Sequence, residues 1–135
     1  MEGKAYVVSG KRKRSIARAV IRNGKGQVRV NKMMLDVVHP VFARDKIREP
    51  LLLAGDELTK KVKIDVDVKG GGWNSQAEAV RLAISRALVS FTKNKDLEKK
   101  FLQYDRQLLI ADVRRKETRK PNDSKARKKR QKSYR

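Results

Sequence analysis

The sequence predicts an α+β fold: a sheet of about four strands covered by helices on one face, continued by a basic extended C-terminal tail. Three stretches carry that prediction. "KVKIDVDVKG" (Lys61 to Gly70) alternates, with Val62, Ile64, Val66 and Val68 on one side and Lys61, Lys63, Asp65, Asp67 and Lys69 on the other. Alternation with period two belongs to a strand that has one buried and one wet face. "GGGWNSQAEAVRLAISRALVSF" (Gly70 to Phe91) sets Val80, Ala83, Ile84, Ala87, Leu88 and Phe91 at helical spacing, which makes a buried stripe. After "LLIAD" (Leu108 to Asp112) the only clear apolar residues are Val113, Ala126 and Tyr134. Residues 114–135 therefore cannot bury enough surface to offset the entropy of ordering.

Each element can be justified in chain order. "AYVVSG" (Ala5 to Gly10) and "SIARAVIRN" (Ser15 to Asn23) read as paired strands, with the basic loop "KRKR" (Lys11 to Arg14) between them. "NGKG" (Asn23 to Gly26) is a hairpin signal, since Asn-Gly tolerates positive φ. "QVRVN" then returns with Val28 and Val30 on one face, so the first thirty residues read as an antiparallel meander. From Val41 to Leu53 the apolar positions Val41, Phe42, Ile47, Leu51 and Leu52 predict a helix, broken or kinked where Pro50 lacks a backbone donor. Ser75 and Glu78 form a capping box for the main helix. "DLEKKFLQYD" (Asp96 to Asp105) predicts a further helix with Leu97, Phe101 and Leu102 inward. The expected division is a globular domain over 1–112 and a tail over 113–135.

Charge narrows the class of partner. The 135 residues carry 36 Lys and Arg against 15 acids, a formal charge of +21. That is more than solubility requires and costly in self-repulsion, so a polyanion is expected to neutralise it. Residues 114–135 hold 12 of the basic residues and two of the acids, so about half of the excess sits in one sixth of the length. No run approaches the roughly 18 apolar residues of a spanning helix, and no signal-peptide segment follows the start. The expectation is a soluble, intracellular protein with no membrane partner. Without cysteine and with a single histidine, neither disulfides nor a conventional metal site is expected.

Catalytic groupings are weak. His39 precedes Pro40 with no companion nucleophile and reads as a turn histidine. Asp65 and Asp67 share a strand face, but lysines on both sides make them a salt-bridged surface rather than an acid/base pair. "GGGWNSQ" sits where a strand meets a helix N-terminus, a place that favours an anion and makes phosphate contact from Gly70, Gly71 and Gly72 plausible. It matches neither the Walker pattern nor G-x-G-x-x-G, and the glycines also serve a tight turn. No catalytic residue, cofactor, metal or small-molecule substrate is expected. The binding features are Lys11, Arg12, Lys13 and Arg14 in one loop and the basic run of the tail. Lys and Arg neutralise phosphates, and Tyr134 can stack on an unpaired base.

The motifs resemble one family. "GGGWNSQAEAVRLAISRAL" (Gly70 to Leu88) is similar to the signature of the universal ninth protein of the small ribosomal subunit. "GKRKRSIARAVI" (Gly10 to Ile21) resembles that family's strand-loop-strand, and "DVRRKETRKP" and "KARKKRQKSYR" resemble its basic extension. The "QKSYR" ending is similar to archaeal and eukaryotic cytosolic members rather than bacterial ones, which typically end in Ser-Lys-Arg, and "GGGWNSQAEA" looks archaeal rather than eukaryotic. One departure is "VNKMML": Lys32 follows Asn31 where many members have glycine.

The resemblance implies a structural constituent of the small ribosomal subunit, working in translation in the cytoplasm. It implies partners: ribosomal RNA in the subunit head, peptidyl-site transfer RNA, and neighbouring ribosomal proteins. Arg114, Arg115, Arg119, Lys120, Lys125, Arg127, Lys128, Lys129 and Arg130 would then contact ribosomal RNA, as would the Lys11–Arg14 loop. Lys132, Ser133, Tyr134 and Arg135 would reach the transfer RNA anticodon stem-loop. The resemblance also implies a left-handed βαβ crossover, against the usual rule. Two alternatives of other classes are a free nucleic-acid chaperone and a small-molecule kinase-like domain, the latter opposed by the missing Walker lysine.

Overall fold

The computed structural model describes residues 3–123 and 125–134. Five strands form one sheet: β1 (Tyr6–Arg12), β2 (Ser15–Asn23), β3 (Gln27–Val30), β4 (Met33–Met34) and β5 (Val62–Lys69). The helices are α1 (Val41–Ala54), α2 (Asp56–Thr59), α3 (Trp73–Thr92) and α4 (Lys95–Tyr104), with short 3-10 turns at Leu35–Val37 and Arg106–Leu108. The α+β class is as the sequence predicts, with one strand more because the two residues of β4 add a short edge.

The meander is the main correction. β1 and β2 pair antiparallel as expected, but β3 does not return onto β2. The sheet order is β1-β2-β5-β3-β4, with β5 antiparallel to β2 and parallel to β3. Insertion pairs β5 with β2 along its whole length on one edge and with β3 along Lys63–Val66 on the other, so most backbone groups of the most regularly alternating strand meet a ladder. Gly24 and Gly26 donate their N–H groups to Lys61 O and Val62 O, both at 2.9 Å, so "NGKG" carries the chain across the start of β5. A Cβ on Gly24 would stand 2.9 Å from Lys63 N; the glycine serves close approach rather than a turn. The connection from β3 through α1 to β5 is a parallel βαβ unit.

The two-residue hairpin turn falls instead between β3 and β4, at Asn31 (φ 49°) and Lys32 (φ 67°). Positive φ at both central positions suits Asn and Gly, not Lys. Asn31 holds the turn: its N–H donates to Val66 O (2.8 Å) and its Oδ1 accepts from Val68 N–H (2.9 Å). Lys32→Gly removes the Cβ penalty at a left-handed position, part of which is returned as unfolded-chain entropy. It is expected to stabilise the protein by about 0.5–1 kcal/mol, read as a rise in the denaturation midpoint at unchanged m-value.

One face of the sheet is buried under helices. Ala17, Ala19, Ile21, Ile64 and Val66 meet Ala79, Val80, Ala83, Ile84, Ala87 and Leu88 of α3, with Phe101 and Leu108 closing the core. Small residues on both sides let α3 lie close to β1 and β2. Phe91 packs at the end of the stripe, edge-on to Tyr6 with ring centroids 6.0 Å apart. The helices differ from expectation in three details. α1 runs through Pro50, whose ring is fully buried, and it is Ala43, Ile47 and Pro50 that α1 buries while Phe42 and Leu52 are exposed. Leu102 is 40% exposed, so α4 turns only Leu97 and Phe101 inward. α3 starts two residues before Ser75, with Gly72, which has no side chain to cap with, at its N-cap; Ser75 thereby falls inside the first turn and the expected capping box does not form. No helix among the described residues is long and apolar enough to cross a membrane.

Candidate nucleic-acid interface

Three separate stretches converge at one end of the sheet. The β1–β2 turn at Lys13 and Arg14, the turn from β5 into α3, and residues 114–119 line a cleft of about 940 Å³. Backbone geometry builds its floor. Gly70 (φ 82°) and Gly71 (φ 65°) adopt conformations that side chains disfavour. A Cβ on Gly70 would stand 2.5 Å from Arg14 O, and one on Gly71 would overlap Ser15 Oγ. Fully buried Ser15 donates its hydroxyl to Gly70 O (2.8 Å), and Gln76 Nε2 donates to the same oxygen (3.1 Å). The glycine turn is thereby seated on the basic hairpin.

Gly72 is different: a Cβ there meets nothing within 4 Å, so packing does not demand glycine. Because no side chain caps α3, the first N–H groups of a 20-residue helix open toward the cleft with their dipole. Backbone donors and fixed positive charge are what a phosphate-bearing ligand requires.

Not every basic residue here has free charge. Arg12 Nε donates to Glu78 Oε2 (2.8 Å), and its Nη1 lies 3.4 Å from Asp112 Oδ2, with the side chain only 14% exposed. Glu78 also meets Lys46 Nζ at 3.6 Å. Arg12 thus joins hairpin, helix and tail root, while Lys13, Arg14, Lys116 and Arg119 have no ion pair among the described residues. Arg114 forks onto Asp112 through Nε and Nη2, at 2.9 and 2.7 Å from Oδ2, and Arg115 Nη1 donates to Asp112 O (2.8 Å). Arg86 supports the same junction: its Nε donates to Leu109 O (2.9 Å) and its Nη1 to Ser9 O (3.1 Å).

Bonds donated by the Arg114 side chain and backbone, with the charges of Arg114 and Arg12, hold the Asp112 carboxyl well below the usual carboxylate range. A depressed folded-state value means that its stabilisation is present above the ordinary carboxylate value and lost only as pH falls through the folded one. The tail root is therefore expected to stay attached as pH drops through 4, with the Asp112 ¹³Cγ resonance still that of an ionised group. Asp112→Asn should loosen residues 112–115 at neutral pH, read as faster amide exchange of Arg114.

Of the residues the sequence singled out, Arg12, Lys13, Arg14, Gly71, Gly72, Arg114, Arg115 and Arg119 line this cleft, and Gly70 underlies it. Lys11 points to the opposite, uncovered side of β1, and Lys120 is exposed beyond the cleft. Farther along, Arg127 forks onto Glu117 (Nη2 to Oε1 2.6 Å) and Arg130 N–H donates to Asp123 Oδ1 (2.9 Å), folding the tail back on itself. These pairs are exposed and worth little beside a polyanion. Lys125, Lys128, Lys129, Lys132, Ser133 and Tyr134 lie outside the cleft lining, with Tyr134 88% exposed. Arg135 lies outside the described residues. His39 is exposed in the bend before α1, and Asp65 is held by Arg22 across the strands (2.9 Å).

Sequence reasoning missed two things. Half-exposed Trp73 at the first turn of α3 is an aromatic surface beside the cleft, signalled only by its position after the glycines. The uncovered face of the sheet carries Lys11, Arg18, Arg22, Arg29, Lys63 and Lys69 against Asp65 and Asp67. The alternation of β2 and β5 contained that signal, but the strand order needed to assemble it did not follow from either stretch.

Fold and cleft together bring backbone donors and fixed positive charge to one place, an arrangement suited to a polyanion. The family model described as ribosomal protein S9/S16 matches residues 10–135. Small ribosomal subunit protein uS9 from three strains of Methanococcus maripaludis is 48% identical over 128 residues, covering 93% of this chain and 95% of each relative. The chain belongs to the ribosomal protein S9/S16 family, in its archaeal type, and is a structural protein of the ribosome's small subunit rather than an enzyme.

Proposed function

We propose that the chain binds small-subunit ribosomal RNA through the glycine-floored cleft and that its tail extends to transfer RNA in the peptidyl site. The observation that carries the reading is the convergence of Lys13–Arg14, Gly71–Gly72 and residues 114–119 on one cleft. Phosphates of the RNA occupy the α3 N-terminus, with Lys13, Arg14, Arg115 and Arg119 around them, while Arg12 keeps the cleft in shape. Residues 1–112 form the RNA-binding domain and 113–135 the tail. Within the tail, Lys125 to Arg130 anchors on ribosomal RNA, and Lys132 to Arg135 reaches the anticodon stem-loop. Arg127 exchanges Glu117 for phosphate, an exchange favoured because the exposed intramolecular pair is weak. The partners are ribosomal RNA, peptidyl-site transfer RNA and neighbouring proteins of the subunit head.

Deleting Ser133 to Arg135 tests the tip. Subunits carrying the truncated chain should assemble and sediment normally yet release peptidyl-site transfer RNA faster and lose reading-frame fidelity. Unchanged retention and fidelity would remove the tip from the proposal, and failure of the full chain to co-sediment with small subunits would remove the whole.

A further inference from the structure

The outer face of α1 has a character opposite to the rest of the molecule. Phe42 and Leu52 are each 74% exposed, Val41 is 48% exposed, and Val37 beside them is 57% exposed. Val41, Asp45, Arg48 and Leu52 recur at i, i+4, i+7 and i+11, one stripe along the helix, with Phe42 at its flank. Large apolar side chains gathered on a solvent face mark an interaction surface.

The charges around the stripe decide what covers it. Arg48 is paired with Asp36, and Arg44 Nη1 donates to Asp36 O (2.8 Å). Lys46 is turned to Asn74 (2.6 Å) and Glu78, and Glu49 is held by Arg81. Without an ion pair among the described residues of the two helices remain three carboxylates, Asp45 on α1 and Asp56 and Glu57 at the start of α2, against one cation, the half-buried Arg44. In a chain of net charge +21, this face presents free carboxylates around exposed Phe and Leu. Phosphate would meet three unpaired carboxylates against one unpaired cation here, whereas a basic polypeptide meets both apolar contact and opposite charge.

We propose that the α1–α2 face docks a positively charged, apolar-bearing segment of a neighbouring protein in the small subunit, and that RNA does not cover it. This rests on the reading that the chain is a component of the subunit head. RNA and protein partners are thereby separated: cations at the cleft and open sheet face one, and α1 faces the other.

The test places the photocrosslinker p-benzoylphenylalanine at Phe42 of the full chain, with purified small subunits irradiated and products sorted by nuclease and protease sensitivity. The expected product is a nuclease-resistant protein crosslink that maps to a segment rich in Lys and Arg. Asp45→Lys combined with Glu57→Lys should leave incorporation into the subunit unchanged and lower that product several-fold. A crosslink to RNA, a crosslink to an acidic segment, or no crosslink from an incorporated chain overturns the proposal. Failure of the chain to enter the subunit would instead overturn the functional reading on which it rests.

Discussion

Gly10→Ala is expected to destabilise the domain by about 3 kcal/mol and to lower its Tm by roughly 10 °C, the effect of overpacking at a site that cannot relax. Gly10 is buried in β1, opposite Ala17, where the strand passes directly over α3. An added Cβ would stand 2.8 Å from Ala83 N and closer still to Ala79 O. Both obstacles are helix backbone, so relief requires β1 and α3 to separate along the core seam that Ala79 and Ala83 close. The contrasting variant is Gly72→Ser, where an added Cβ meets open space and serine is a favoured N-cap. Its Tm should be unchanged or higher, even though it lies in the signature that looks most glycine-dependent.

Replacing Lys13, Arg14, Arg115 and Arg119 together with alanine should act on binding rather than on folding. All four are exposed and none has an ion pair among the described residues, so the Tm should move little. If each neutralises one phosphate, affinity for a ribosomal RNA fragment should fall on the order of 10²-fold. The slope of log K against log salt should become shallower by about 3. Titrations at several salt concentrations check both values, and an unchanged slope would mean that RNA does not enter the cleft. Arg12→Ala should behave in the reverse manner. It strips Glu78 and Asp112 of their shared guanidinium, so Tm falls with a smaller direct effect on the salt slope.

Elements with strong local periodicity were legible in the sequence, and their arrangement was not. β5 and α3 follow from side-chain alternation and from helical spacing because both signals lie within one segment. β5's place between β2 and β3 depends on which edges find partners across forty residues. Asn23-Gly24 carries the same local signal whether it turns a hairpin or crosses a strand. Asn31-Lys32 makes the real two-residue turn with a residue that propensity would not choose there. The capping box failed because the helix begins at Trp73, which places Ser75 inside its first turn, and Glu78 meets Arg12 and Lys46 instead.

The site divided in a similar way. Charge density marked the loop and tail as candidate binding segments but could not tell free cations from spent ones. Arg12 and Lys13 are adjacent and chemically alike; one is locked between two carboxylates and the other is open. Nor could spacing show that residues 13, 71 and 115 share one cleft, since each is brought there by a different pair of elements. Family resemblance supplied the kind of partner, while the cleft supplies the place where we propose that it is held.

The junction at Asp112 has a geometric consequence for the tail. Arg12, Arg86 and Arg114 pin the backbone around Leu109 to Asp112, so the proposed tail starts from a fixed point. Chain length then becomes a ruler: 23 peptide steps from Asp112 to Arg135 span at most about 83 Å when extended, and each residue added or removed changes that reach by about 3.3–3.6 Å. Substitutions along the way change how firmly the ruler is held down; insertions and deletions change where it ends.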